Sequence, residues 1–356
     1  MSKAAELAAL IGSQTALSNR NLIINGAMQV YQRGSQASVR NTYAVDRFKL
    51  LGSGSQLFTY SQSTTVPSGE GFSYSAKLDV TTADTSLAAG DYQLLRYIFE
   101  GQDLQHLEYG TSGAKSLTLQ FWVRSPKTGT HIVELDHADA GYFNSQSYTI
   151  AAADTWQKVT LTFDGYQTTS ITNDNTDSFR VTWWLMAGST FSGGTLASNT
   201  WQNTSANRAA GQVNVVDSTS NEFYITGVQL EVGEQATPFE HRSFGDDLRR
   251  CQRYFFGPTN RYAHGAIGAN TDYPRCTSAS SFPVTMRATP TVTFASSNPF
   301  TSGKIERYDG TDSPTATLSV DKDGMNYFFI SGENTFNNAY NKISYQFGTL
   351  KADAEL

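Results

Sequence analysis

The sequence predicts an all-β chain: two β-sandwich, jelly-roll-like domains joined by a linker and a short helix, with a short anchoring segment at the N-terminus. Three observations predict it. Apolar and polar residues alternate in run after run, as where Leu117, Leu119, Phe121 and Val123 oppose Thr118, Gln120 and Trp122. Turn formers such as Ser125-Pro126, Gly141 and Asp164-Gly165 separate those runs. The composition, 16% charged and 12% aromatic with 29 Gly, 18 Tyr and 21 Phe, suits twisted sheets whose pleats are filled by aromatic and β-branched side chains. A length of 356 residues gives two or three domains of about 100 to 200 residues, each able to bury a core.

Residues 1–40 read as a terminal segment. Leu7, Leu10 and Ile11 make a one-sided stripe on an Ala-rich helix that ends at Gly12, and two readings stand: a frayed peptide, or a helix that inserts into a larger assembly. Glu6 interrupts the stretch and no small-residue cleavage site follows, so it does not read as a signal peptide. Nothing in the chain reads as a membrane span. Asn21 to Arg33 has two strand-like runs around Asn25-Gly26, the pattern of a short hairpin.

Residues 41–233 carry the first sandwich. Besides the Leu117 run, Tyr74, Ala76, Leu78 and Val80 alternate, as do Val159, Leu161 and Phe163. Phe179, Val181, Trp183 and Leu185 oppose Arg180, Thr182, Trp184 and Met186. Such strands call for an antiparallel sandwich with one wet face per sheet. Phe223, Ile225, Val228, Leu230 and Val232 close the domain as a last strand, with Gly227 as a bulge or kink.

Residues 234–257 read as a linker around Pro238 and a short helix. Ser243 stands where an N-cap oxygen accepts a backbone N–H, Asp246 and Asp247 lie in the positive first turn, and Arg249, Arg250 and Arg253 load the other end. Phe244, Leu248, Cys251 and Phe255 recur at steps of four, three and four, one helical seam. Two partners suit it: a flanking domain of the same chain, or a short parallel bundle of identical chains. Residues 258–356 form a second, smaller sandwich, with strands over Ser281 to Met286, Thr291 to Phe294, Thr317 to Val320, Met325 to Ile330 and Ser344 to Phe347.

A net charge of −6 without a basic run disfavours a nucleic-acid binder, which needs a positive stripe to displace counterions from phosphates. Two cysteines, Cys251 and Cys276, make no disulfide framework and have no metal-ligand spacing; a single bridge between them stays open. There is no phosphate-cradling Gly loop and no GxSxG elbow.

The series NLIINGAMQVYQRG, YAVDRF, WQKVTLTF, YITGVQLEVGEQATPFEHRSFGDDLRRCQRYF and FPVTMRATPTV resembles tail-fibre and related host-attachment proteins of tailed bacteriophages, over most of the chain up to about Val292. Its most specific parts are NLIINGAMQ and the GVQLEVG…TPFE…CQRYF junction. The resemblance implies a virion protein assembled in the host cytoplasm, commonly a homotrimer, rooted in the phage tail by its N-terminal part. Residues 41–232 are also similar to carbohydrate-binding jelly-roll modules, notably in WQKVTLTF and the closing GVQL.

Several constellations are candidates for chemistry. Trp122 and Trp184 face away from their strands' apolar residues, where an indole can stack on a sugar ring beside a donor such as Arg180 or Gln120; the alternative is that a loop or neighbouring chain covers them. Tyr142 and Phe143 are further stacking candidates. His131, Glu134, Asp136, His137 and Asp139 contain metal-binding and acid–base atoms, but alternation sends His131 and His137 to one face and Glu134 and Asp136 to the other, so a solvated strand edge is the simpler reading. Asn173, Asp174, Asn175 and Asp177 lack the Gly and terminal Glu of an EF-hand loop and read as a polar turn. No cofactor is expected. Structural calcium at Asp174 and Asp177 stays open because the resembled modules often carry it.

Together these readings lead to a non-enzymatic fibre or spike that adheres to a host surface glycan or receptor, in partnership with copies of itself and with tail proteins. A purely structural virion component (head fibre or tail connector) and a surface-polysaccharide depolymerase are the alternatives.

Overall fold

The computed structural model describes residues 19–265, 275–295, 317–322, 327–333 and 343–356, with side-chain surroundings over 19–257, 281–291 and 351–356. Leu7, Leu10 and Ile11 lie outside the described residues. The chain divides into two compact units between Asp247 and Leu248.

In the first unit the alternating runs become strands. These are β1 Gln36–Val39, β2 Thr42–Tyr43, β3 Phe48–Ser53, β4 Leu57–Ser63, β5 Ser75–Thr82 and β6 Tyr92–Glu100. There follow β7 Leu117–Arg124, β8 Gly129–His137, β9 Tyr142–Ile150, β10 Gln157–Phe163, β11 Asp177–Ala187, β12 Trp201–Gln202 and β13 Glu222–Val232. They form a six-stranded sheet, β1-β4-β5-β13-β7-β10, and a seven-stranded sheet, β12-β9-β8-β11-β6-β3-β2. From β5 to β13 the chain crosses repeatedly between the sheets, lacing them into a jelly-roll β-sandwich. The fold class read from the sequence is the one observed.

Inward positions match the alternation. Leu117, Leu119, Phe121 and Val123 of β7 and Phe179, Val181, Trp183 and Leu185 of β11 are all sealed in one core. Across the sandwich Phe121 meets Trp183 edge to face, ring centroids 5.7 Å apart, adding about 1 kcal/mol beyond the burial of both rings. In β13 the ladder to β7 shifts between Thr226 and Gln229. Gly227 absorbs the extra residue at φ +62°, so Phe223 and Ile225 before it and Val228 and Leu230 after it all point inward. A Cβ on Gly227 would stand 2.6 Å from the Phe72 ring and 3.0 Å from Trp122. Val232, expected to complete that inward series, is exposed.

Asn21 to Arg33 forms no hairpin, because its asparagines bond backbone groups that a ladder would use. Asn21 Oδ1 accepts Ile23 N and Leu230 N at 2.9 and 3.1 Å, and its Nδ2 donates to Val228 O at 3.0 Å. Asn25 Nδ2 donates to Val30 O and Asp46 O, and its Oδ1 accepts Val30 N at 2.8 Å. Gly26 is required here, since a Cβ would stand 2.1 Å from Val228 O. The segment is thereby fastened to β13 as part of the first sandwich.

The connector after β13 also folds back. Glu231 accepts Thr237 N and Oγ1 at 2.7 and 2.6 Å, and Gln229 Oε1 accepts Glu240 N at 2.8 Å. The Glu240 carboxylate takes Asn19 N and Asn21 N, both at 2.7 Å, and Arg242 donates to Ile23 O at 2.9 Å and to Asn21 O. NLIING and GVQLEVG…TPFEHR, far apart in sequence, are two halves of one clasp.

The helix spans Phe244–Gln252, capped as expected: Ser243 Oγ accepts Asp246 N at 3.2 Å and donates to the Asp246 carboxylate at 2.6 Å. The seam is shorter than its spacing implied. Phe244 is exposed, Leu248 half-buried and Cys251 buried, whereas Phe255 lies past the helix and opens the next strand. Pairing of Phe255 with Asp353, beside a 2.8 Å bond from Ala354 N to Tyr254 O, draws the chain into a sheet there.

The second unit contains β14 Phe255–Gly265, β15 Arg275–Ser281, β16 Thr291–Ala295, β17 Thr317–Lys322, β18 Tyr327–Glu333 and β19 Ile343–Asp353. They make two antiparallel three-stranded sheets, β14-β19-β16 and β15-β18-β17. The strand expected over Ser281 to Met286 instead ends at Ser281; Pro283 lacks the N–H a ladder needs, and Phe282 and Met286 turn inward.

Candidate functional site

The outward face of the seven-stranded sheet holds an array of charge. Register places Lys49, Arg96, Thr182, Glu134 and Ser145 side by side across β3, β6, β11, β8 and β9. The adjacent row contains Ile98, Arg180, Asp136 and Phe143. Alternation in these strands puts apolar residues in the core, so their outward positions collect the polar side chains.

Most of these charges are paired. Arg208, reaching over from the segment between β12 and β13, grips Glu134 with Nε at 2.9 Å and with Nη2, and touches Asp136 at 3.2 Å. Ser145 Oγ donates to Glu134 at 3.2 Å. Burial works against a charge on Arg208, but Glu134 and then Asp136 outweigh it and raise its pKa, so it stays a cation. Arg180 is forked onto Asp177 at 2.8 and 2.9 Å and reaches Asp136 at 3.1 Å. Arg96 differs. Its one hydrogen bond among the described residues runs from Nε to Thr182 Oγ1 at 3.1 Å, and burial, then the neighbouring Arg180, lower its pKa.

The sequence-derived binding residues do not assemble into one site. Trp184 and Arg180 are on this sheet, while Trp122 and Gln120 are on the outward face of the other. Trp184 is a correction: it is buried, not offered for stacking. The segment 188–212 lies over it, with Phe191 at 5.5 Å and Arg208 at 5.6 Å from its ring, and Leu94, Ile132 and Ala209 complete a small apolar cluster. Phe143 is buried beneath the Arg208 guanidinium, 4.6 Å from its ring centre, and Tyr142 is half-buried against Tyr166 at 5.3 Å. Gln120 is buried too, donating to Thr237 O at 2.7 Å under the connector. Trp122 is half-buried beside Phe72 over Gly227, and Phe72 in turn packs on Phe239 and His241 at 4.9 and 5.4 Å.

The solvated edge expected at His131 to Asp139 is also corrected. β8 is an interior strand, and His131, Glu134, Asp136 and His137 are all buried. The two faces divide as alternation required. His131 stacks on Tyr148 at 5.5 Å with Nε2 3.0 Å from Lys127 O, and burial drives its pKa down to about 4. His137 Nε2 lies 3.0 Å from Thr169 O, its pKa also lowered by burial. Among the described residues no group of three His, Cys, Asp or Glu is placed to hold a metal ion. Asp174 closes a turn on Thr176 N and Oγ1 at 2.8 and 2.6 Å, and Asp177 is engaged by Arg180.

Sequence reasoning missed Arg96, Arg208 and Lys49. A signal existed for Arg96, a lone cation amid Leu94, Leu95, Tyr97, Ile98 and Phe99. Arg208 had none, for it comes from a stretch without periodicity.

By sequence, no protein family and no curated protein matches the chain. Solved structures similar to it include the enzymatically active domain of tailspike protein 4 from bacteriophage CBA120, at 14% identity and TM-score 0.33 over 60% of this chain and 21% of that one. Another is the TmCBM61 module in complex with β-1,4-galactotriose, at 10% identity and TM-score 0.31 over 60% of this chain and 99% of the module. A family 11 carbohydrate-binding module from Clostridium thermocellum is similar at 11% identity and TM-score 0.27, over 57% and 99%. This chain thus spans about a fifth of the tailspike domain and nearly all of each module.

Proposed function

We propose that this chain is a non-enzymatic virion protein of a tailed phage that holds the particle to its host by binding a surface glycan. The observation that carries the binding half is the outward face of the seven-stranded sheet. Tyr43, Lys49, Arg96, Arg180 and Arg208 stand there half-buried, ordered by strands and by each other, so donors and a ring are presented at low entropic cost. The virion half rests on the motif series, whose two most specific blocks form the clasp between the N-terminal segment, β13 and the connector. Residues 258–356 are the distal, receptor-facing domain, and the N-terminal residues root the chain in the tail.

The working unit is a homotrimer. Val232 and Phe244, exposed large apolar residues at the two ends of the connector, support a contact between copies there. Several weak glycan contacts then act together, because later ones form at high effective concentration.

The test uses full-length protein against intact bacterial cells and their purified capsular and lipopolysaccharide glycans. Saturable binding without release of reducing sugar is expected. Release of reducing ends would make the protein a depolymerase, and absence of binding to every cell and glycan would leave it a structural component of the particle.

A further inference from the structure

Arg96 and Lys49 stand directly opposite each other on β6 and β3, side chains outward on one face. Like charges so placed repel, and sheets avoid the arrangement unless something offsets it. Lys49 has the Tyr43 ring under its Nζ at 5.4 Å. Among the described residues Arg96 has the hydroxyl of Thr182 and no carboxylate in ion-pair contact: Glu134 and Asp136, the nearest acids of the face, are committed to Arg208 and Arg180. The Nη groups of Arg96 are not sealed from solvent, unlike the unsatisfied Nε atoms of Arg20, Arg47 and Arg242.

Resting on the glycan-binding reading above, we infer that Arg96, flanked by Lys49, is the seat of an anionic group on the ligand, which makes the ligand class an acidic polysaccharide bearing uronate carboxylates. A guanidinium presents two parallel N–H donors that match a carboxylate, and a half-buried cation without a counter-ion favours an anion more than a solvated one does. Thr182 holds Arg96 by Nε alone, leaving the Nη edge for that contact. Tyr43 and the Lys49 stem provide the apolar side against which a sugar ring rests.

The experiment titrates full-length protein by calorimetry with acidic oligosaccharides (oligogalacturonate, hyaluronan and alginate fragments) and with the carboxyl-reduced neutral counterpart of each. At least one acidic member binds about tenfold or more tightly than its neutral counterpart, as a charge-assisted hydrogen bond requires, and the preference shrinks as salt is raised. Arg96→Gln abolishes the preference, Arg96→Lys keeps part of it, and Arg124→Gln, on the outward face of the other sheet, leaves it intact. Equal binding of acidic and neutral members, or an unchanged preference in a folded Arg96→Gln protein, overturns the anionic seat and leaves glycan binding standing. Binding of neither set overturns both. Inorganic sulfate that binds while no saccharide does marks an adventitious ion only and overturns the inference as well.

Discussion

The two sheets of the first unit turn outward faces built by the same alternation, and the chain treats them differently. Over the six-stranded sheet it lays its own connector, and Gln120, Gln229 and Glu231 all find partners in Thr237, Pro238 and Glu240. Among the described residues, the segment 188–212 lies over one side of the seven-stranded sheet, and Lys49, Arg96 and Arg180 are half-buried. A buried polar face must be satisfied internally or it destabilises the fold. The first face is therefore closed by the chain's own connector, and on the second Arg96 is the cation that we propose meets a ligand. A motif that is specific in sequence marks the clasp, whereas the charged face of the seven-stranded sheet carries no motif at all.

Breaking the paired part of the charged face should have the largest effect. Arg208→Met leaves the buried Glu134 without its cation and Asp136 with Arg180 alone, and a loss of roughly 3 to 5 kcal/mol in urea-unfolding stability is expected. A loss under about 1 kcal/mol would show that the face is more solvated than its geometry implies.

The opposite side of β8 provides the next test. His131 titrates near 6.5 when unfolded but at about 4 in the fold, so between these values the unfolded chain binds the extra proton. Stability should fall as pH drops from about 6.5 towards 4, by roughly 3 kcal/mol from this group, with His137 acting in the same direction. Glu134, whose pKa burial raises, opposes the trend, so the comparison is between the parent and His131→Gln. The variant's stability should depend less on pH across that window, and identical slopes would remove the histidine from the account.

The clasp comes third. Asn25→Ala removes the side chain's bonds to Val30 N, Val30 O and Asp46 O and should cost about 2 to 3 kcal/mol. Hydrogen exchange should then rise over both Asn21–Arg33 and the connector, because the two are one structure; a rise confined to the first would separate them. Smallest of all, Arg96→Gln should change unfolding stability by no more than about 1 kcal/mol, since only the Thr182 bond is lost. A large loss would make Arg96 a structural residue and bring the two faces closer in kind.

Much of this was legible beforehand, and the legible parts share a cause. The inward sets of β7, β11 and β13, the Gly227 bulge, the Ser243 cap and the division of His131 and His137 from Glu134 and Asp136 all follow from side-chain period and local backbone rules. The failures share a cause too. Trp184 faces outward and was open to two readings, a stacking residue or one covered by a loop; the cover comes from residues 188–212, which have no period to announce them. The hairpin over Asn21 to Arg33 failed because Asn25 spends its amide on the backbone at Val30 and Asp46. The helical seam was cut short at Phe255 because β19, about a hundred residues later, pairs with it.

By itself, then, the sequence determined the all-β class, the faces of the strands and the places where turns, a bulge and a cap must fall. These are set within a few residues, by a strand period of two and by which side chains can bond their own backbone. Only the tertiary structure decided which outward residues are covered and which cation lacks an acid. Arg208 meets Glu134 across 74 positions of sequence and Arg242 meets Asn21 across 221. No local rule reaches that far, and the pairing of charges over such distances is what leaves Arg96 as the open group on its face.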